Sequence, residues 1–89
     1  MGIYNIQWFD FTRSNSDPRY EILLSPTGHH GGQGMKVYSS KEAFSSDLKE
    51  RLRISDRIIE GFFANPETNY AVKDWPLTDE NAAYFGQHH

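Results

Sequence analysis

Four short stretches of this chain, rich in apolar and β-branched residues, predict four β-strands. In residues 3–11, Ile6 and Trp8 alternate with Asn5 and Gln7, so one face of this strand is apolar. Three further strands are predicted at residues 19–25, 35–39 and 69–75. The connections between the first three are short, which favours an antiparallel arrangement of these strands.

A four-residue apolar repeat follows the third strand and predicts a helix. Phe44, Leu48 and Leu52 fall on one side of such a helix and form a single apolar stripe. Ser39 stands three positions before Glu42, and in a capping box of this kind each side chain reaches the other's free backbone N–H. We therefore expect Ser39 to be the N-cap of this helix.

Two more helices complete the predicted order of elements. Ser55 caps the second helix, and Pro66 ends it because the residue before a proline is excluded from the helical conformation. Thr78 caps a short third helix whose first turn carries Asp79 and Glu80, where negative charge suits the helix dipole. The order β-β-β-α-α-β-α predicts an α+β fold, with an antiparallel sheet of three to four strands and two to three helices packed on one face.

Length and composition limit the kind of protein this chain can form. Its 89 residues predict one small α+β domain over residues 1–89. A chain this short buries about 60–65% of the surface that its unfolded form exposes, which leaves little room for a deep cleft. It contains no cysteine, and no stretch approaches the roughly 18 consecutive apolar residues of a membrane helix. We expect a cytoplasmic protein that does not bind membranes.

The net charge of −3 is concentrated towards the C-terminus. Residues 61–89 carry one basic and four acidic side chains, whereas the two charge types balance in the rest of the chain. No predicted face is basic enough to make nucleic acid the expected partner.

The sequence TGHHGGQG at residues 27–34 lies between two predicted strands and has the composition of a loop. A phosphate loop would continue with lysine and open a helix, but here a strand begins at once. A metal site would need three or four converging ligands, and two adjacent histidines rarely supply more than one. We expect no cofactor or metal, and a hairpin loop that offers adaptable contacts to a partner through His29, His30, Gly31 and Gly32.

His88 and His89 end the chain and could assist the other histidines as metal ligands, although no spacing predicts it. They are also what a purification tag would leave, and on that reading they carry no information about the fold.

Residues 47–63 resemble, in part, a helix-turn-helix motif, in which apolar and capping residues recur in a similar order. The resemblance implies that Arg53 and Arg57 face nucleic-acid phosphates. Two positions depart from the motif: Lys49 replaces a small alanine, and Arg53 replaces the glycine of the turn. Acidic residues would also face the nucleic acid, so this nucleic-acid-binding function is the alternative interpretation.

Signals for catalysis are weak. The chain has no cysteine nucleophile and no Gly-x-Ser-x-Gly elbow. Paired acid–base chemistry needs two carboxylates held about 5–10 Å apart in a cleft, and no spacing in the sequence predicts such a pair. The candidate carboxylates are Asp10, Asp17, Glu21 and Asp74. We expect a protein that is not an enzyme.

Aromatic residues make up 15% of the chain, which is more than a small core needs. We expect some of the rings in the acidic C-terminal third to be exposed and to bind a protein partner with a basic surface. The residues predicted to form this surface are Trp75, Asp79, Glu80, Tyr84 and Phe85. Self-association through an edge strand or the helix face is a second form of this hypothesis, and filling of the core by nearly all rings is its alternative.

Overall fold

The alternating stretches form strands and the four-residue repeats form helices. A computed structural model describes residues 2–14, 16–27, 34–65 and 67–86. In chain order the elements are β1 (Gly2–Asp10), β2 (Tyr20–Pro26), β3 (Gly34–Tyr38), α1 (Lys41–Glu50), α2 (Asp56–Ala64), β4 (Asn69–Leu77) and α3 (Asp79–Gly86). The predicted α+β class and the order β-β-β-α-α-β-α are confirmed.

The four strands form one antiparallel sheet in the order β3-β2-β1-β4, so β3 and β4 are its edges. Residues opposite each other in the ladder share a face of the sheet. The pair Ile6 and Leu24 lies on the face that packs against the helices, which we call the covered face. The pair Gln7 and Leu23 lies on the other side, which we call the open face.

The core lies between the covered face and the helices, and aromatic rings fill much of it. Trp8 packs edge-on against Phe62 and stacks on Tyr70, while Phe44 stacks on Tyr20. The buried apolar side chains are Ile6, Trp8, Tyr20, Ile22, Leu24, Tyr38, Phe44, Leu48, Leu52, Ile54, Ile59, Phe62, Leu77 and Phe85. The high aromatic content therefore serves packing to a large extent.

The helix caps follow the sequence closely, with one correction. Ser55 and Thr78 accept backbone N–H groups of α2 and α3, as predicted. The N-cap of α1 is Ser40 and not Ser39: its hydroxyl oxygen accepts the N–H of Ala43, and the hydroxyl also donates to Glu42. The prediction was wrong by one position because Ser39 has the capping-box spacing to Glu42, whereas Ser40 caps the helix through Ala43 and reaches Glu42 at a spacing of two.

The edge strand β4 runs past its predicted end at residue 75 and includes Pro76. An edge strand tolerates proline, which lacks an N–H to donate to the ladder. The register between β1 and β4 shifts between Tyr4 and Ile6, and Asp74 adopts a left-handed conformation there with φ 54°. The side chain of Asn5 accepts the N–H of Asp74 at 3.2 Å, which stabilises this bulge.

No helix within the four described ranges is both long enough and apolar enough to cross a membrane.

Candidate functional site

The C-terminal rings are less exposed than the sequence suggested. Phe85 is completely buried in the core, so its predicted exposure is wrong. Trp75 is half-buried, and its indole N–H donates to the carbonyl of Leu52 at 2.6 Å. Tyr84 is also half-buried, and its hydroxyl donates to Asp47 at 3.0 Å. These rings fasten β4 and α3 to the rest of the domain instead of projecting from it.

Asp79 and Glu80 are both exposed in the first turn of α3. The negative charge predicted for this region is therefore present at the surface. Close to Tyr84, however, charges of both signs meet: its hydroxyl binds Asp47, while Arg51 lies 4.1 Å and Lys36 lies 5.1 Å from the centre of its ring. The predicted partner-binding residues thus do not form a single acidic surface with free aromatic anchors.

A network that sequence reasoning missed joins β3, α1 and α3. Tyr38 donates its hydroxyl to a carboxylate oxygen of Asp47 at 2.5 Å, and Tyr84 donates to the same oxygen. Burial, and after it the contact with Asp47, raises the pKa of both tyrosines. No local spacing reveals this network, because its three members lie on different elements.

The carboxylates considered for catalysis make local contacts. Asp10 accepts the N–H and the hydroxyl of Thr12 and so closes the turn after β1. Asp17 and Glu21 both bind the guanidinium of Arg19, at 3.0 and 2.6 Å. Glu21 raises the pKa of Arg19 chiefly by accepting its hydrogen bond. These contacts give the carboxylates roles in turn formation and ion pairing.

The predicted loop contacts His29, His30, Gly31 and Gly32 lie outside the described residues, as do His88 and His89. Within the described ranges, no three histidine, aspartate or glutamate side chains come together in a way that could hold a metal ion.

The segment that resembles a helix-turn-helix forms two helices and a tight turn, α1 and α2 with residues 51–55 between them. Arg53 adopts the left-handed conformation in this turn, with φ 60°, at the position where the motif has glycine. Lys49 forms an ion pair with Asp56 across the turn at 3.3 Å. Arg53 and Arg57 are both exposed.

The open face carries the most exposed large apolar side chains of the described residues. They are Ile3, Met35 and Val37, with exposed fractions of 46%, 40% and 51%. The ladder places Met35 opposite Leu23 and Val37 opposite Glu21, which establishes that both belong to this face. Phe9 lies on the same face, half-buried, and stacks on Phe11 with ring centres 5.5 Å apart.

The strand β3 reverses the pattern expected from its own sequence. In a half-buried strand the apolar residues face the core, but here Met35 and Val37 face outwards. Lys36 instead lies on the covered side, where its ammonium group is 5.6 Å from the ring centre of Tyr38. Gly34 and Tyr38 take the covered side of this strand. Gly34 contacts α3, and Tyr38 donates its hydroxyl to Asp47 on α1.

Most side chains in the middle of the open face are uncharged among the described residues, and Lys73 on β4 is an exception. Glu21 lies on the open face between Phe9 and Val37 of the neighbouring strands. Its carboxylate accepts a hydrogen bond from Arg19 of the same chain. A shallow cavity of about 220 Å³ crosses this face and is lined mainly by amide, hydroxyl and small apolar groups. Its lining residues are Asn5, Ile6, Gln7, Leu23, Ser25, Ala71, Val72 and Lys73.

A larger groove of about 430 Å³ runs between α2 and β4. Phe62 and Tyr70 line it, and both rings pack on Trp8 in the core. The open face is the stronger candidate, because its apolar side chains project into solvent whereas those of the groove belong to the packed core.

Comparison of the chain with family models, with curated proteins and with solved structures finds no match.

Proposed function

We propose that this chain is a non-enzymatic protein-interaction domain that binds a protein partner through the open face of its sheet. The observation that carries the proposal is the reversed strand β3, in which Met35 and Val37 face solvent while Lys36 faces the helices. Exposed apolar side chains on an otherwise well-packed small domain mark contact surfaces. We place this function in the cytoplasm.

The energetics favour a partner with an apolar surface. Full burial of one such side chain contributes about 1.5–3 kcal/mol, so the exposed halves of Ile3, Met35 and Val37 offer about 1 kcal/mol each. The basic partner surface predicted from the sequence has less support, because Phe85 is buried and Trp75 and Tyr84 are half-buried. Asp79 and Glu80 remain the residues on which that version of the proposal would depend.

Affinity capture from the native host tests this proposal. The bait is used in three forms: the unchanged chain, Val37→Glu on the open face, and Ala43→Glu on the exposed side of α1. The two variants add the same charge on opposite sides of the domain. We expect Ala43→Glu to retain the captured protein and Val37→Glu to lose it. Retention by Val37→Glu with loss by an Asp79→Lys, Glu80→Lys variant would contradict the open-face proposal and return the site to α3.

A nucleic-acid-binding protein is the second candidate, and the left-handed turn at Arg53 is the observation in its favour. Basic and acidic side chains nearly balance over residues 49–60, which weakens attraction to phosphates. A gel-shift assay on random duplex DNA at low salt tests this function. Retardation that Arg53→Glu and Arg57→Glu abolish would support it, and no retardation of the DNA by the unchanged chain would remove it.

A further inference from the structure

We infer that the open face binds a second copy of this chain, so that two sheets stack face to face and the helices form the two outer layers. This inference rests on the proposed function, because it names the partner of the same face. Three observations support it: the charges on the open face, the area of that face, and the poor suitability of the two sheet edges for binding a second copy.

The charges on the open face allow it to meet itself. On β1, β2 and β3 its two central rows contain neutral side chains, and on β4 they contain Ala71 and the charged Lys73; the neutral residues of the three strands are Asn5, Ser25, Gln7, Leu23 and Met35. Glu21 is neutralised by Arg19 of its own chain, and Lys73 stands on the edge strand β4. Apart from Lys73 at the β4 edge, two copies therefore place mainly neutral side chains against each other, although each carries a net charge of −3.

The area of the open face reaches what a specific dimer needs. Four strands spaced about 4.8 Å apart are about 19 Å wide, and the nine-residue strands β1 and β4 give a usable length of about 25 Å. Each copy then covers about 500 Å², or about 1,000 Å² in total, at the lower limit of stable interfaces. An interface of this size is typical of weak, transient association.

The edges of the sheet are poorer places for a second copy. At the β4 edge, Pro76 lacks a donor and the bulge at Asp74 distorts the ladder. The β3 edge is regular, but it offers only five residues and so a much smaller contact. Stacked sheets lie about 10 Å apart with their strands rotated by about 30°, which lets apolar side chains from both copies interdigitate. Leu23 and Gln7, in the middle of the face, would lie closest to the two-fold axis.

Sedimentation velocity of the purified chain tests the dimer directly. Measured from about 1 µM to about 1 mM, the mass should rise from 10.3 kDa towards twice that value. Val37→Glu and Ile3→Glu place a charge at two separate points of the open face, and each should weaken dimerisation at least tenfold. Ala43→Glu should dimerise like the unchanged chain. A chain that stays monomeric throughout, or equal dimerisation of Val37→Glu and Ala43→Glu, would overturn the inference.

Two further measurements separate this inference from misfolding and from the proposed function. Thermal unfolding followed by circular dichroism identifies any variant that does not fold, and the other open-face variant then decides the result. The dissociation constant of the dimer should change little with salt concentration, because salt does not screen apolar contacts. A dimer that weakens strongly as salt is added would overturn the inference. A monomeric chain that captures a host protein, with capture lost in Val37→Glu, overturns the dimer alone and leaves the proposed function standing.

Discussion

The backbones of Gly34 and Phe85 lie against each other, so that a Cβ built on Gly34 would be 2.5 Å from the carbonyl oxygen of Phe85. This approach brings α3 down onto β3 and allows the side chain of Phe85 to enter the core. A side chain at position 34 would separate the two elements. The contact therefore explains why a ring near the C-terminus is buried when its sequence neighbourhood indicated exposure.

A matched pair of glycine substitutions tests this contact. Gly34→Ala should lower the free energy of unfolding by about 1–3 kcal/mol, because the overlap is with backbone atoms that cannot rotate away. Gly61→Ala on α2 should raise it by about 0.5–1 kcal/mol, because an added Cβ meets nothing within 4 Å and alanine favours the helix. Urea unfolding measures both, and effects of the same sign would contradict the described packing of α3.

The two tyrosines on Asp47 should act as one network. Asp47→Asn should cost about 1.5–3 kcal/mol of stability, because a charged acceptor of two hydroxyls is lost. Tyr38→Phe and Tyr84→Phe should each cost less in the Asp47→Asn background than in the unchanged chain. A double-mutant cycle by urea unfolding measures the coupling, and purely additive effects would contradict a shared acceptor.

Stability should also depend on pH in the alkaline range. Burial, together with the bond to Asp47, raises the pKa of Tyr38 and Tyr84 in the folded chain. Their stabilising contribution is complete below the unfolded tyrosine pKa of about 10 and is lost as pH rises above it, because the unfolded chain then releases protons that the folded chain keeps. Urea unfolding between about pH 8 and pH 11 should show this decline, with a shallower slope for Tyr38→Phe. An unchanged slope in that variant would contradict the assignment.

The turn between α1 and α2 stores backbone strain at Arg53. A non-glycine residue in the left-handed region costs about 1–2 kcal/mol, part of which glycine recovers. Arg53→Gly should therefore stabilise the chain by up to about 1 kcal/mol, whereas Arg53→Ala, which keeps a Cβ, should not. Thermal unfolding of the two variants compares them, and equal melting temperatures would show that the turn is not strained.

Much of the fold follows from local pattern. Alternation, the four-residue apolar repeat and the helix-capping residues predict all seven elements in the correct order. Ser55 and Thr78 were recognised as caps because their bonds are local. The burial of Phe85 was not predictable, since it depends on a contact with Gly34 from a distant part of the chain.

The candidate site was harder to predict for a related reason. The sequence of β3 shows Met35 and Val37 alternating with Lys36, and alternation alone would place the two apolar residues in the core. Which side faces the helices is decided by the register with β2 and by the positions of Gly34 and Tyr38. A conflict between a strand's own pattern and its orientation can therefore be seen only in the folded chain.

Site-specific photo-crosslinking in the native host tests the role of the open face most directly. A benzophenone-bearing amino acid replaces Val37 on the open face, Ala43 on α1, or Arg57 beside the groove between α2 and β4. We predict covalent adducts with a protein, either another copy of the chain or a different partner, from position 37 and none from positions 43 and 57. Adducts from position 43 or 57 with none from position 37 would contradict binding through the open face.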